Sequence, residues 1–182
     1  MSISPPDIFS LKCLGSAKEQ FQILRGSILT GHVDLAPHSI TSDDAQWAAI
    51  DAGSSQIFIK CLEEVKLTKF KTIGLIGAQF LFLEGKKGGI GLATKTAAED
   101  PTLTGTRWTV IDLGGNQLAL RCDFLGKSTK SAIGASGGPE FLIGFDDGTV
   151  KLGPKDAIGT HWEIVALGPS EGVKDPSGQQ HF

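Results

Sequence analysis

W-A-A-I-D-A-G-S-S-Q-I-F-I-K-C runs from Trp47 to Cys61, and W-T-V-I-D-L-G-G-N-Q-L-A-L-R-C runs from Trp108 to Cys122. In both, the tryptophan precedes the cysteine by fourteen residues, and the aliphatic and glycine positions between them agree. A third copy opens at Trp162 as W-E-I-V-A-L-G and then loses the pattern. Its missing half stands at the opposite terminus, where Ile8 to Cys13 reads I-F-S-L-K-C. A threefold repeat completed by the first strand of the chain is the signature of a closed, pseudo-symmetric fold, not of an open array.

Each copy, started at its cysteine strand, divides into four short segments. The first is 8–13, 56–61 and 117–122; the second is 20–26, 79–85 and 140–144. The third is 32–37, 89–94 and 149–154; the fourth is 46–53, 107–114 and 161–168. Apolar residues alternate with small or polar ones in each, and Gly, Asp, Asn or Pro bound the runs. That is the period and punctuation of strands and turns.

Three copies of four segments predict an all-β domain of twelve strands. The pattern resembles the β-trefoil superfamily, six strands closed into a barrel and capped by three hairpins. The resemblance spans residues 7–168 and is strongest at G-T-R-W (105–108) and G-T-H-W (159–162), with D-A-Q-W (44–47) as the degenerate copy. These elements look more like the fascin-type branch than the ricin-type branch. The glutamine that ricin-type lectins carry two residues before the tryptophan is replaced by Ala45, Thr106 and Thr160. The domain is read as 1–168, with the Gly-, Pro-, Ser- and Gln-rich segment 169–182 as a mobile tail.

A chain of 182 residues with 40% hydrophobic and 20% charged residues suits one globular domain. The net charge of -3 supplies no basic excess for phosphates, so nucleic acid is not an expected partner. No apolar run reaches the length of a membrane span, and the opening M-S-I-S-P-P-D lacks a secretory signature. The three cysteines share one repeat position, which reads as buried core thiols without disulfides in a reducing, cytoplasmic compartment.

Positions that agree in all three copies are core; positions that differ are where function belongs. Trp47, Trp108 and Trp162 therefore read as packing residues and not as sugar-stacking rings. The distance from cysteine to the next turn glycine is 13 residues for Cys13–Gly26, 24 for Cys61–Gly85 and 22 for Cys122–Gly144. The longer two contain insertions, 65–77 and 127–138. The first carries Lys66, Lys69 and Lys71 between apolar residues, either as solvated edge lysines or as a protein contact surface. The third-to-fourth strand loops also differ: 38–44, 95–104 and 155–158.

Catalytic and metal signatures are missing from the sequence. The histidines His32, His38, His161 and His181 show no ligand spacing, and no G-x-S-x-G element exists. G-K-K-G-G-I-G (85–91) lacks the ending of a phosphate loop and reads as a hairpin. The expectation is a non-enzymatic binding module with neither cofactor nor metal. Likeness to lectin-like trefoils implies a glycan partner held at shallow loop sites, with Asp34, His38, Glu84, Asp100, Asp146 and Asp147 as the polar candidates. F-D-D-G-T (145–149), which holds the last two, also reads as a tight turn. Likeness to fascin-type trefoils implies instead a protein partner such as actin, met by the 65–77 lysines. Protease inhibition through 127–138, presenting Lys127 or Lys130, is the third expectation. The sequence leaves the oligomeric state open.

Overall fold

The computed structural model describes residues 8–15, 21–37, 42–63, 80–86, 89–100, 105–122 and 141–167. Both insertions, with Lys66, Lys69, Lys71, Lys127 and Lys130, lie outside the described residues, as do His38 and the segment 169–182. The strands are β1 (Phe9–Cys13), β2 (Ile23–Gly26), β3 (Val33–Ala36), β4 (Trp47–Gly53), β5 (Gln56–Cys61) and β6 (Phe80–Lys86). They continue as β7 (Gly89–Thr94), β8 (Trp108–Gly114), β9 (Gln117–Cys122), β10 (Phe141–Gly144), β11 (Val150–Gly153) and β12 (Trp162–Ala166). The predicted segments thus match the twelve strands, four to each unit.

Six of them, the first and fourth of each unit, form a closed circuit of antiparallel pairs. β1 pairs with β4, β4 with β5, β5 with β8, β8 with β9, β9 with β12, and β12 with β1. The β1–β12 pair runs over five residues from Phe9↔Ala166 to Cys13↔Trp162, so the first strand completes the last unit as the repeat requires. Closing the circuit leaves none of the six with an unpaired edge. The remaining strands form three hairpins, β2–β3, β6–β7 and β10–β11. Each is attached at an equivalent point: Lys12↔Ile23, Lys60↔Phe82 and Arg121↔Phe141.

Threefold-equivalent side chains make up the core: Leu11, Ile59 and Leu120; Leu24, Leu83 and Leu142; the three tryptophans; and the three cysteines. Each tryptophan is 0% exposed. Its indole N–H donates to a backbone carbonyl of the preceding hairpin: Trp47 to Leu24 at 3.0 Å, Trp108 to Leu83 at 2.9 Å and Trp162 to Leu142 at 2.9 Å. A buried indole needs such a partner, and the threefold bond confirms the packing role.

The cysteines are buried and form no disulfide. Each sulfur sits against a glycine of the unit before it. A Cβ added to Gly144 would stand 2.7 Å from Cys13 Sγ, and one on Gly85 would stand 2.6 Å from Cys122 Sγ. On Gly26 the same atom would meet Trp47 at 2.9 Å and Cys61 Sγ at 3.4 Å. The turn glycine of the repeat is therefore a notch for a sulfur.

Two local elements differ from the sequence reading, and the first is a single 3-10 turn at Asp43–Ala45 in the loop before β4. The loop after β7, read as irregular, begins with a short helix α1 (Lys95–Glu99). Thr94 caps it by accepting from Ala97 N at 3.3 Å, and Lys95 and Glu99 pair at 3.6 Å one turn apart.

Candidate functional site

The fourth strand of each unit begins beside the first strand of the same unit: Trp47↔Phe9, Trp108↔Ile57 and Trp162↔Leu118. The residues before the tryptophans are Gln46, Arg107 and His161; the residues after their partners are Ser10, Phe58 and Ala119. These six positions define three pseudo-equivalent interfaces. The chain diversifies them while the neighbouring core positions stay alike.

At the third interface the surface is concave. Two adjoining depressions, of about 290 and 420 Å³, share Asp156, Ala157 and His161. The first lies over Ala119 and is walled by Leu113, Lys155 and Thr160. The second continues across Leu14, Gly15, Gln117, Ile158 and Gly159. Asp156, His161 and Gln117, which line these depressions, are exposed to solvent. Leu14 and Leu113 are each 37% exposed and Ile158 is 84% exposed, which places three apolar side chains on the rim.

The loop that carries the cleft is held by its backbone. Gly159 has φ +97, a region that L side chains rarely adopt. Its carbonyl accepts from Gly144 N at 3.1 Å and faces Cys13 Sγ at 3.6 Å. His161 O accepts from Leu14 N at 2.9 Å, tying the loop to the end of β1. The buried Thr160 hydroxyl bonds back to Lys155 O at 3.0 Å and Ala157 O at 2.9 Å, so it is committed to loop structure. The G-T-H-W element is thereby explained residue by residue: glycine for the close approach, threonine for the loop, histidine for the surface and tryptophan for the core.

The carboxylates singled out from sequence are held in ion pairs, a helix end and a turn, and His38 lies outside the described residues. Asp34 is taken up in a two-pronged ion pair, accepting from Arg25 Nε at 2.9 Å and Nη2 at 2.8 Å. His32 stands 3.8 Å from the same carboxylate. Arg25 also approaches Asp44 at 4.0 Å, and the Asp34 hydrogen bond chiefly holds its guanidinium above the usual arginine range. Glu84 pairs with Lys86 at 3.2 Å on β6. Asp100 ends α1, its N–H donating to Ala97 O at 3.3 Å. Asp147 closes the β10–β11 turn, accepting from Thr149 N at 2.9 Å and Thr149 Oγ1 at 2.6 Å. Those bonds, the hydroxyl first, hold its carboxyl below the usual range. Asp146 is its exposed neighbour in that turn.

The residues that line the cleft, Gln117, Asp156 and His161, were not among those candidates. One signal for them was available. The loop between the third and fourth strands is eight residues in the third unit (154–161), against ten (37–46) and thirteen (95–107) in the others. A short loop covers less of the interface beneath it. Among the described residues, no three His, Cys, Asp or Glu side chains gather as a metal ion would require. No helix among them is long and apolar enough to cross a membrane.

No family model matches this chain, and no curated protein matches it. Solved structures do. SeviL bound to asialo-GM1 saccharide superposes with a TM-score of 0.55 at 8% identity, over 89% of this chain and 98% of that one. The designed 3-fold symmetric protein ThreeFoil superposes with a TM-score of 0.53 at 15% identity, over 88% and 99%. Cry35Ab1 does so with a TM-score of 0.56 at 11% identity, over 96% of this chain and 39% of that one.

Proposed function

We propose that this β-trefoil is a non-enzymatic, lectin-like binding module that holds a saccharide in the cleft of its third unit. The single observation that carries the reading is the cleft itself. A carboxylate and an imidazole (Asp156 and His161) are shared by two adjoining open depressions, one lined also by Leu113 and the other by Gln117, Leu14 and Ile158. Sugars present the matching chemistry, hydroxyls on one edge and an apolar C–H face on the other. The likeness to SeviL carries the fold alone, and SeviL is solved with a bound saccharide.

Shallow, open depressions suit recognition and offer little water exclusion for chemistry. Among the described residues, the one hydroxyl lining the cleft, that of Thr160, is committed to backbone carbonyls, which opposes its use as a nucleophile. A site of this depth, with few polar groups, gives affinities of roughly millimolar to micromolar for a short saccharide.

The test is a broad glycan array that includes the asialo-GM1 saccharide, probed with the parent chain and with Asp156→Ala and His161→Ala. Selective binding that both substitutions remove supports the reading. A folded parent that binds no glycan, or substituted chains that bind as the parent does, overturns it.

A further inference from the structure

We propose that Phe58 is the residue that closes the second of the three pseudo-equivalent interfaces, so that the saccharide site of the third unit has no counterpart there. The proposal rests on the saccharide reading above and adds to it which residue decides where a ligand can sit.

The strand registers make the comparison residue by residue. Trp162↔Leu118 and Trp108↔Ile57 are the same pair in consecutive units, so His161 answers to Arg107 and Ala119 to Phe58. In the third unit the floor of the cleft is a methyl group, and His161 stands at its side. In the second unit a phenyl ring occupies the floor position. The Arg107 guanidinium carbon lies 5.3 Å above the centre of that ring, within the range of a cation–π contact. Phe82 meets the ring edge-on, with centroids 5.8 Å apart. Ile50 pairs with Phe58 directly across β4–β5. The ring is thus packed between the Arg107 guanidinium and the Phe82 ring, with Ile50 opposite it across the strands.

The loop above differs in the same sense. The Thr160 hydroxyl bonds to the short loop that frames the cleft. Its equivalent, Thr106, is 1% exposed, and its hydroxyl has no hydrogen-bond partner among the described residues. At the first interface the floor residue is Ser10, whose hydroxyl donates to Ala45 O at 2.9 Å and bridges β1 to the loop. Three side chains at one position, Ser10, Phe58 and Ala119, therefore give three different interfaces on one backbone.

The test exchanges the two residues. The parent chain, Phe58→Ala and Ala119→Phe are titrated with asialo-GM1 saccharide, and bound copies are counted by native mass spectrometry. Backbone amide shifts locate them. The expected result is one more bound copy for Phe58→Ala than for the parent, with new shifts at residues 50–58 and 105–108. Ala119→Phe should lose at least tenfold in affinity at residues 113–119 and 155–161. An unchanged count for Phe58→Ala, or a parent already occupied at 50–58, overturns the proposal while leaving the saccharide reading intact. A parent that binds nowhere sinks the saccharide reading instead. The crystal structure of Phe58→Ala then decides the plug without a ligand: a new depression over residue 58 upholds it, and an Arg107 that folds down to fill the gap refutes it.

Discussion

Gly15 and Gly159 meet backbone to backbone, with no room for a side chain between them: a Cβ on Gly15 would fall onto the Gly159 amide. That contact presses the cleft loop onto the end of β1. Gly159 is doubly constrained, because its φ is +97 and a Cβ there would run into Gly144 O. Gly159→Ala should therefore destabilise the fold by about 3 kcal/mol, read as a lowered urea midpoint, and should weaken ligand binding at the same time. A loss below about 0.5 kcal/mol, the level of an ordinary surface change, would show that the loop is not held in this way.

The threefold indole bonds make a second prediction. Trp108→Phe removes the donor to Leu83 O and leaves that carbonyl buried without it. A cost of about 2 kcal/mol is expected from the orphaned acceptor and the lost volume together. Trp47→Phe and Trp162→Phe should cost similar amounts, because the geometry is the same in each unit. Unequal losses in denaturant titrations would mean that the symmetry of the contacts is not a symmetry of energies.

Asp156 and His161 are exposed and lie in the loop and at its end, so their removal should leave folding nearly unchanged. Either alanine substitution should lower saccharide affinity at least tenfold, about 1.4 kcal/mol. Titration calorimetry of each variant against the parent, with melting curves alongside, separates the two effects. Asp34→Ala should do the reverse: it breaks the Arg25 pair, and saccharide affinity should hold.

Burial raises the Cys61 thiol from an ordinary 9.0 to about 11. The neutral thiol is thus favoured in the folded chain, and the unfolded chain loses its proton first. Stability from this group is complete below pH 9.0 and is lost as pH rises towards about 11, by an amount on the order of 2 kcal/mol. Cys61→Ala should be less stable at neutral pH but should show a flatter decline across that alkaline window. Parallel slopes for parent and variant would contradict the assignment.

The strands were legible because their evidence is periodic and threefold. Trp47 and Trp108, each followed fourteen residues on by a cysteine, and Trp162, whose missing half stands in the first strand, mark every unit. The burial of the cysteines followed from the same recurrence. The cleft was not legible, because it depends on a difference between equivalent positions. Ala119 is unremarkable in the sequence; it matters only when set against Phe58 in space. Nor does a string of residues show that Leu14 and Gly15 lie beside 158–161, or that the Asp34 carboxylate is already engaged by Arg25. Helix α1 was missed because five residues carry too little periodicity, although its Thr94 cap was there to be read.

The seating of each sulfur in the glycine notch of the preceding unit has a meaning beyond packing. Every unit offers a notch at one end and a sulfur at the other, the arrangement of a head-to-tail ring of subunits that closes after three. The polypeptide is in that sense built like a trimer whose protomers are joined end to end. A single unit released from its neighbours would carry one empty notch and one uncovered sulfur. It could satisfy both only by finding two copies of itself.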